Sequence, residues 1–254
     1  MGTIIAVTAA AGMGGTGLGG LAAYLFRRGT DRTVSVLLSF AAGMMLAVVC
    51  ADLLTDAIQA GPGLSALPAA SASVLAGCGG IWLLEELVSG LQAGAKRGGL
   101  FLAGVVMAAA IALHNLPEGM VIGASYAADL AEAGEDGRMM ALVIGLHNIP
   151  EGMAVAVPLA AGGASRGRAV LTTAAAGAPT VLGAVLGFCL GTMGPGLQML
   201  TLGGASGAML YVVFGELLPE SFRLCRSPAP VMAAVLVGQY GFDVIDGFQS
   251  VSVA

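Results

Sequence analysis

Two stretches of this chain repeat almost letter for letter: "ALHNLPEGMVI" at residues 112–122 and "GLHNIPEGMAV" at 145–155. Each sets a histidine and a glutamate four residues apart. On a helix, His114 then shares a face with Glu118, and His147 with Glu151, about one turn away. Imidazole nitrogen and carboxylate oxygen at that spacing suit a divalent cation. Pro117 and Pro150 withhold the amide hydrogens that would have bonded the carbonyls of Leu113 and Leu146. That kinks each helix and leaves two oxygens that a cation or its water can satisfy. A proteolytic zinc site reads H-E-x-x-H on one helix. Here glutamate replaces the second histidine and no catalytic glutamate follows the first, which argues against a protease.

The elements that position these motifs belong in a membrane. Of the 254 residues, 57% are apolar and 10% charged, and the mean hydropathy is +0.91, so the chain cannot build a water-soluble surface. Its 41 glycines, with abundant alanine, suit helices packed closely in lipid. The first apolar segment has no charged leader and no A-x-A site, and reads as a retained span. Cys50, Cys78, Cys189 and Cys225 lie scattered without CxxC spacing and read as small buried apolar residues. Lipid is the expected surrounding; no nucleic-acid partner and no prosthetic group are expected.

A hydrocarbon core of about 30 Å takes about 20 apolar residues per helix. Charged or Pro/Gly-rich breaks divide the chain into eight such runs: 3–26, 34–59, 69–92, 100–126, 139–160, 168–191, 196–220 and 229–250. Cationic loops stay cytoplasmic. Arg27, Arg28 and Arg32 fall in the first connection, Lys96 and Arg97 in the third, Arg166 and Arg168 in the fifth, Arg223 and Arg226 in the seventh. Arg138 alone lies in an even connection, among Asp129, Glu132, Glu135 and Asp136. The alternation predicts an all-α, eight-span protein of the cell (inner or plasma) membrane with both termini outside.

In that topology the two motifs lie on antiparallel neighbours. Counting in from the loop at 129–137, Glu118 and His147 are both roughly 15 Å deep at about 1.5 Å per residue, near the bilayer midplane. Each carboxylate there costs about 2.5–3.5 kcal/mol, so two need a compensating cation or proton. Mutual pairing alone has no need of two histidines, two asparagines, two carboxylates and two kinks at one depth. Further acids mark a route: Asp52 and Asp56 in the outer part of the second span, Asp243 and Asp246 near the outer end of the eighth. Glu85 and Glu86 stand in the inner part of the third, and Glu216 and Glu220 at the inner end of the seventh. Negative charge thus extends from face to face, as a cation path requires. Glu220 and Asp246 also read as solvated helix ends, and Met44 and Met45 as packing residues.

The paired H-N-x-P-E-G motifs on the fourth and fifth of eight spans resemble the ZIP (Zrt/Irt-like) divalent metal transporters of the compact prokaryotic type. "AAGMMLAVVCADLL" (41–54) is similar to that family's second helix and "GAMLYVVFGELLPES" (207–221) to its seventh. The resemblance implies a bundle in which helices 1–3 and 6–8 are inverted repeats around helices 4 and 5. It implies that His114, Glu118, His147 and Glu151 bind a first metal. Asn115 and Asn148 would contribute to a second position bridged by the glutamates. It places Asp52 beside this site and Glu216 at the inner exit. Many two-metal members carry a glutamate on the sixth helix where this chain has Thr180, so one well-held ion or a weak second one is expected. The third connection lacks the histidine-rich insert of many eukaryotic members.

The expected activity is secondary transport of a divalent transition metal into the cytoplasm: zinc first, with iron, manganese or cadmium as alternatives. The metal is cargo rather than a cofactor. Both histidines must be neutral to bind it, so uptake weakens as pH falls. A membrane-embedded metalloenzyme would use the same ligands to activate water, but the sequence offers no separate base and leaves the trail of acids unexplained. An exporter of opposite polarity fits the same residues, and the resemblance alone argues for import. Homodimerisation is left open. A cysteine introduced beside Arg166 is expected to react with impermeant reagent from the cytoplasmic side alone; labelling from outside would invert the topology.

Overall fold

The computed structural model describes residues 1–25, 31–61, 66–132 and 136–252, and all regular structure among them is helical. Helices pair every backbone donor and acceptor internally, as an apolar environment demands. α1 (Gly2–Ala9) passes through a π turn, Ala10–Gly14, into α2 (Gly15–Leu25). α3 (Asp31–Ala47) passes through a second, Val48–Leu53, into α4 (Leu54–Ala60). α5 spans Leu67–Glu132, α6 Asp136–Ala161, α7 Arg166–Ala176 and α8 Pro179–Thr192. α9 (Pro195–Val212) runs through a third π turn, Val213–Leu217, into α10 (Leu218–Leu224), and α11 covers Pro228–Ser252.

Among the described residues, five stretches are long and apolar enough to cross a bilayer: Gly2–Ala23, Arg32–Ala60, Asp136–Ala160, Arg166–Thr192 and Pro195–Leu224. The protein is a multi-pass membrane bundle. The expected spans at 69–92, 100–126 and 229–250 fall in α5 and α11, some of whose side chains lie outside the described residues.

The helices differ from the expected ones in two places. No loop separates the third and fourth spans at 93–99; α5 is continuous. The expected break rested on Lys96 and Arg97 among Gly94, Gly98 and Gly99, none of which removes a backbone donor as proline does. Yet Val74 packs on Gly207 of α9 while Met120 packs on Gly187 of α8. Gly187 and Gly207 are no more than about 35 Å apart along the chain, whereas a straight rod would hold Val74 and Met120 about 70 Å apart. α5 therefore bends back, and its two arms, 67–83 and 104–132, pack as separate helices. The expected sixth span, 168–191, coincides with the apolar stretch Arg166–Thr192, but its helix breaks once. Gly177 and Ala178 make tight turns onto Ala174 and Ala175 at 3.2 and 3.1 Å, and Pro179, with no amide hydrogen, restarts the helix as α8.

The π turns in α3–α4 and α9–α10 coincide with a repeat in sequence. "GMMLAVVCADLLTD" (43–56) aligns without gaps on "GAMLYVVFGELLPE" (207–220), setting Asp52 against Glu216 and Asp56 against Glu220. An extra residue in a helical turn re-aims the side chains around it and is common at functional sites.

Close packing sorts the helices into two groups. α1–α2, the second arm of α5, α6 and α7–α8 meet through glycine: Gly15 on Gly145, Gly19 on Ile149 and Gly152, Gly183 on Leu116, Gly119 on Thr180. α3–α4, the first arm of α5, α9–α10 and α11 do likewise, with Gly43 on Val235, Gly77 on Gly204 and Gly238 on Phe40. The nearest atoms facing each of these glycines belong to the same group. Between the groups lie larger side chains: Met44, Met45 and Val48 of one, with Met209 and Val212, against Val121, Ile122, Val143 and Ile144 of the other. Each group is bound backbone to backbone, while the seam between them is lined by these larger apolar side chains.

A Cβ on Gly207 would fall on the Val74 carbonyl, whereas one on Gly79 would meet nothing within 4 Å. Gly207→Ala is expected to cost about 1–3 kcal/mol by overpacking and Gly79→Ala to gain up to about 1 kcal/mol of helix propensity. Thermal unfolding in one detergent reads both, and equal melting temperatures would contradict this account of the packing.

Candidate metal centre

The end of α5 is tied directly to the start of α6. Asp129 Oδ1 accepts the Asp136 amide at 2.9 Å and Oδ2 the Gly137 amide at 3.0 Å. One carboxylate from the end of α5 thereby satisfies two open donors at the start of α6, where the helix dipole favours negative charge. Pro117 and Pro150 sit inside helices that continue past them.

Where the helices face each other, Glu118 from α5 meets His147 and Glu151 from α6. His147 Nε2 lies 2.9 Å from Glu118 Oε1 and 3.8 Å from Glu151 Oε1. Ligand atoms of all three fall within 4.8 Å of one another, and all three residues are buried. Donors held tetrahedrally about 2.1 Å from one ion stand about 3.4 Å apart, so the cluster has the dimensions of a coordination shell. Its unmet valence is one-sided: Glu118 Oε2 and both oxygens of Glu151 are buried acceptors without a donor, as is Asn148 Oδ1 elsewhere on α6. Three such buried carboxylate oxygens are costly unless a cation or a proton answers them.

His114 stands apart from this cluster. Its Nε2 lies 2.9 Å from Glu216 Oε1, on the third π turn, and its Nδ1 is buried without a partner. This contact links the two helix groups. The asparagines bind main chain and each other. Asn115 Nδ2 donates to the carbonyls of Ile111 and Ala176 at 2.9 and 3.2 Å; Asn148 Nδ2 donates to the Ala11 carbonyl at 3.4 Å and to Asn115 Oδ1 at 3.3 Å. Thr180 Oγ1 donates to Asn115 Oδ1 at 2.9 Å. Ala11 lies in the first π turn and Ala176 ends α7, so each asparagine grips an irregular point of a neighbouring helix. Sequence reading named Thr180 as a missing ligand and missed its role as a donor; it gave no signal for the Ala11 and Ala176 carbonyls, which no residue type reports.

Of the remaining acids, Asp56 lines a cavity of about 620 Å³ together with Gln59, Ser125, Asp136 and Gln198. Glu86 is exposed and Glu216 half-buried. Glu220 is engaged by the Arg223 guanidinium, whose Nε donates at 2.6 Å. The side chains of Asp52, Glu85, Asp243 and Asp246 lie outside the described residues.

A family model described as ZIP zinc transporter matches residues 92–238. The zinc transporter ZIPB of Bordetella bronchiseptica is 38% identical over 229 residues, 84% of this chain and 71% of that protein. The zinc transporter ZupT of Corynebacterium efficiens is 32% identical over 239 residues, 87% of this chain and 88% of that one. The zinc transporter GufA of Myxococcus xanthus is 40% identical over 114 residues, 45% of this chain and 44% of its own.

A ligand that binds the native state at about a hundred times its dissociation constant stabilises it by roughly 2.7 kcal/mol. Zinc at that excess is expected to raise the melting temperature of the wild type and of Glu86→Ala, and to leave Glu151→Ala unmoved. An undiminished rise in Glu151→Ala would place the ion elsewhere.

Proposed function

Because the chain belongs to the ZIP family of zinc transporters, we propose that it carries zinc through the membrane into the cytoplasm, bound at Glu118, His147 and Glu151. The observation that carries this reading is the buried cluster itself, with its undonated oxygens and the dimensions of a coordination shell. His114 completes the shell when it leaves Glu216, one helical turn from Glu118. Imidazole and carboxylate without thiolate also accommodate iron, manganese or cadmium, and the names of the relatives favour zinc among them.

A family of transporters, rather than enzymes, accounts for the acids beyond the cluster. In this reading Asp52 and Asp56, with Asp243 and Asp246, draw cations in from outside, and Glu85, Glu86, Glu216 and Glu220 receive them inside. The eight expected spans, their inverted repeat and the outward termini belong to the same proposal, which the 43–56 and 207–220 repeat supports. The glycine-bound group that bears the cluster moves as one body along the aliphatic seam, turning the site from one face to the other. His114 and Glu216 meet across that seam, so their contact breaks and reforms as the groups move.

In proteoliposomes, Glu118→Ala is expected to abolish zinc uptake while the protein keeps its wild-type elution and helicity in detergent. Uptake at the wild-type rate would overturn the assignment of the central site. The same assay with competing iron, manganese and cadmium ranks the cargo.

A further inference from the structure

Asn115 and Asn148 hold equivalent places in the two motifs, but their amides are differently committed. An asparagine amide offers two donors and two acceptor sites. In Asn115 all four are used: Nδ2 on the carbonyls of Ile111 and Ala176, Oδ1 by the Thr180 hydroxyl and the Asn148 amide. In Asn148 both donors are used, on Ala11 and Asn115, and Oδ1 has no partner. Asn115, Asn148 and Thr180 are completely buried, so no water can substitute for a lost bond.

For a cation to bind Asn115 Oδ1, it would have to displace Thr180 and Asn148 from that oxygen and strand their donors in a site without solvent. Thr180 matters because it presents a hydroxyl that donates, where a carboxylate could only accept. The Asn148 carbonyl, by contrast, carries the same deficit as the free oxygens of Glu118 and Glu151, and its cost falls when a cation arrives.

Resting on the assignment of cargo to Glu118, His147 and Glu151, we propose that Asn115 is a brace and not a ligand. Its saturated amide, locked by Thr180, closes the place beside the cluster to a second cation. The chain carries one ion, to which Asn148 contributes Oδ1. The brace also ties the first π turn, both motif helices and the α7–α8 break to one another, holding the cluster at a fixed span.

The test is zinc per chain, measured by elemental analysis of the purified full-length protein in detergent after equilibrium dialysis, above the background of Glu118→Ala. One zinc is expected for the wild type. Thr180→Val, which removes the donor with little change of shape, should still hold one zinc, about tenfold more weakly because the brace loses a buried hydrogen bond. Thr180→Ser should restore wild-type affinity to within about twofold, since the hydroxyl is back. Two zinc ions of comparable affinity in the wild type, an ion lost from Thr180→Val, or unaltered affinity in Thr180→Val would each overturn the brace. No zinc above background in the wild type would instead overturn the central site, and the brace with it. The wild-type count stands even where a variant fails to fold.

Discussion

Carboxylates buried in an apolar interior must find positive charge, and the architecture around Glu118 and Glu151 follows from that requirement. Water cannot reach them, main-chain donors are spent within the helices, and the described basic side chains stand at the helix ends and connections. His147 stands between them, 2.9 Å from Glu118 and 3.8 Å from Glu151. A doubly charged ion answers both groups at once, which makes its presence or absence the largest electrostatic change available to the membrane interior. The site is costly when empty, and that cost is the driving force for filling it.

Such a site needs rigid support, because a shell loosened by a fraction of an ångström loses selectivity. The support is backbone packing. Glycines at Gly15, Gly19, Gly119 and Gly183 bring helix axes so close that carbonyls take the place of side chains as contact surfaces. Methionine and valine, rather than glycine, fill the seam between the cluster-bearing group and the other.

Composition and periodicity made the membrane class legible, and the spacing of Glu118, His147 and Glu151 pointed to residues that the structure brings into one buried cluster. Helix geometry placed Glu118 beside His147 with no alignment at all. What composition could not reveal was how side chains divide among rival partners. His114 is as close in sequence to Glu118 as His147 is to Glu151, yet it turns to Glu216, a residue 102 positions away. The reversal of α5 falls where the charged, glycine-containing stretch at 93–99 led one to expect it, but the helix runs through it unbroken, because charge and glycine mark where a chain can leave the apolar layer without forbidding helical hydrogen bonds. Gly177, Ala178 and Pro179 carried the signal for the α7–α8 break and were passed over because the run is apolar throughout. The likeness of 43–56 to 207–220 was present in the letters and became meaningful once both stretches proved to contain a π turn.

The Asp129 carboxylate, closing the N-terminus of α6, sits eleven residues and therefore about 16 Å along the helix from Glu118. Sliding α6 by a single residue would rotate His147 by about 100° and lift it about 1.5 Å, enough to dissolve the shell. An aspartate at the water boundary thus acts as a gauge block for a coordination sphere it never touches, and the tolerance of the whole instrument is set at its rim.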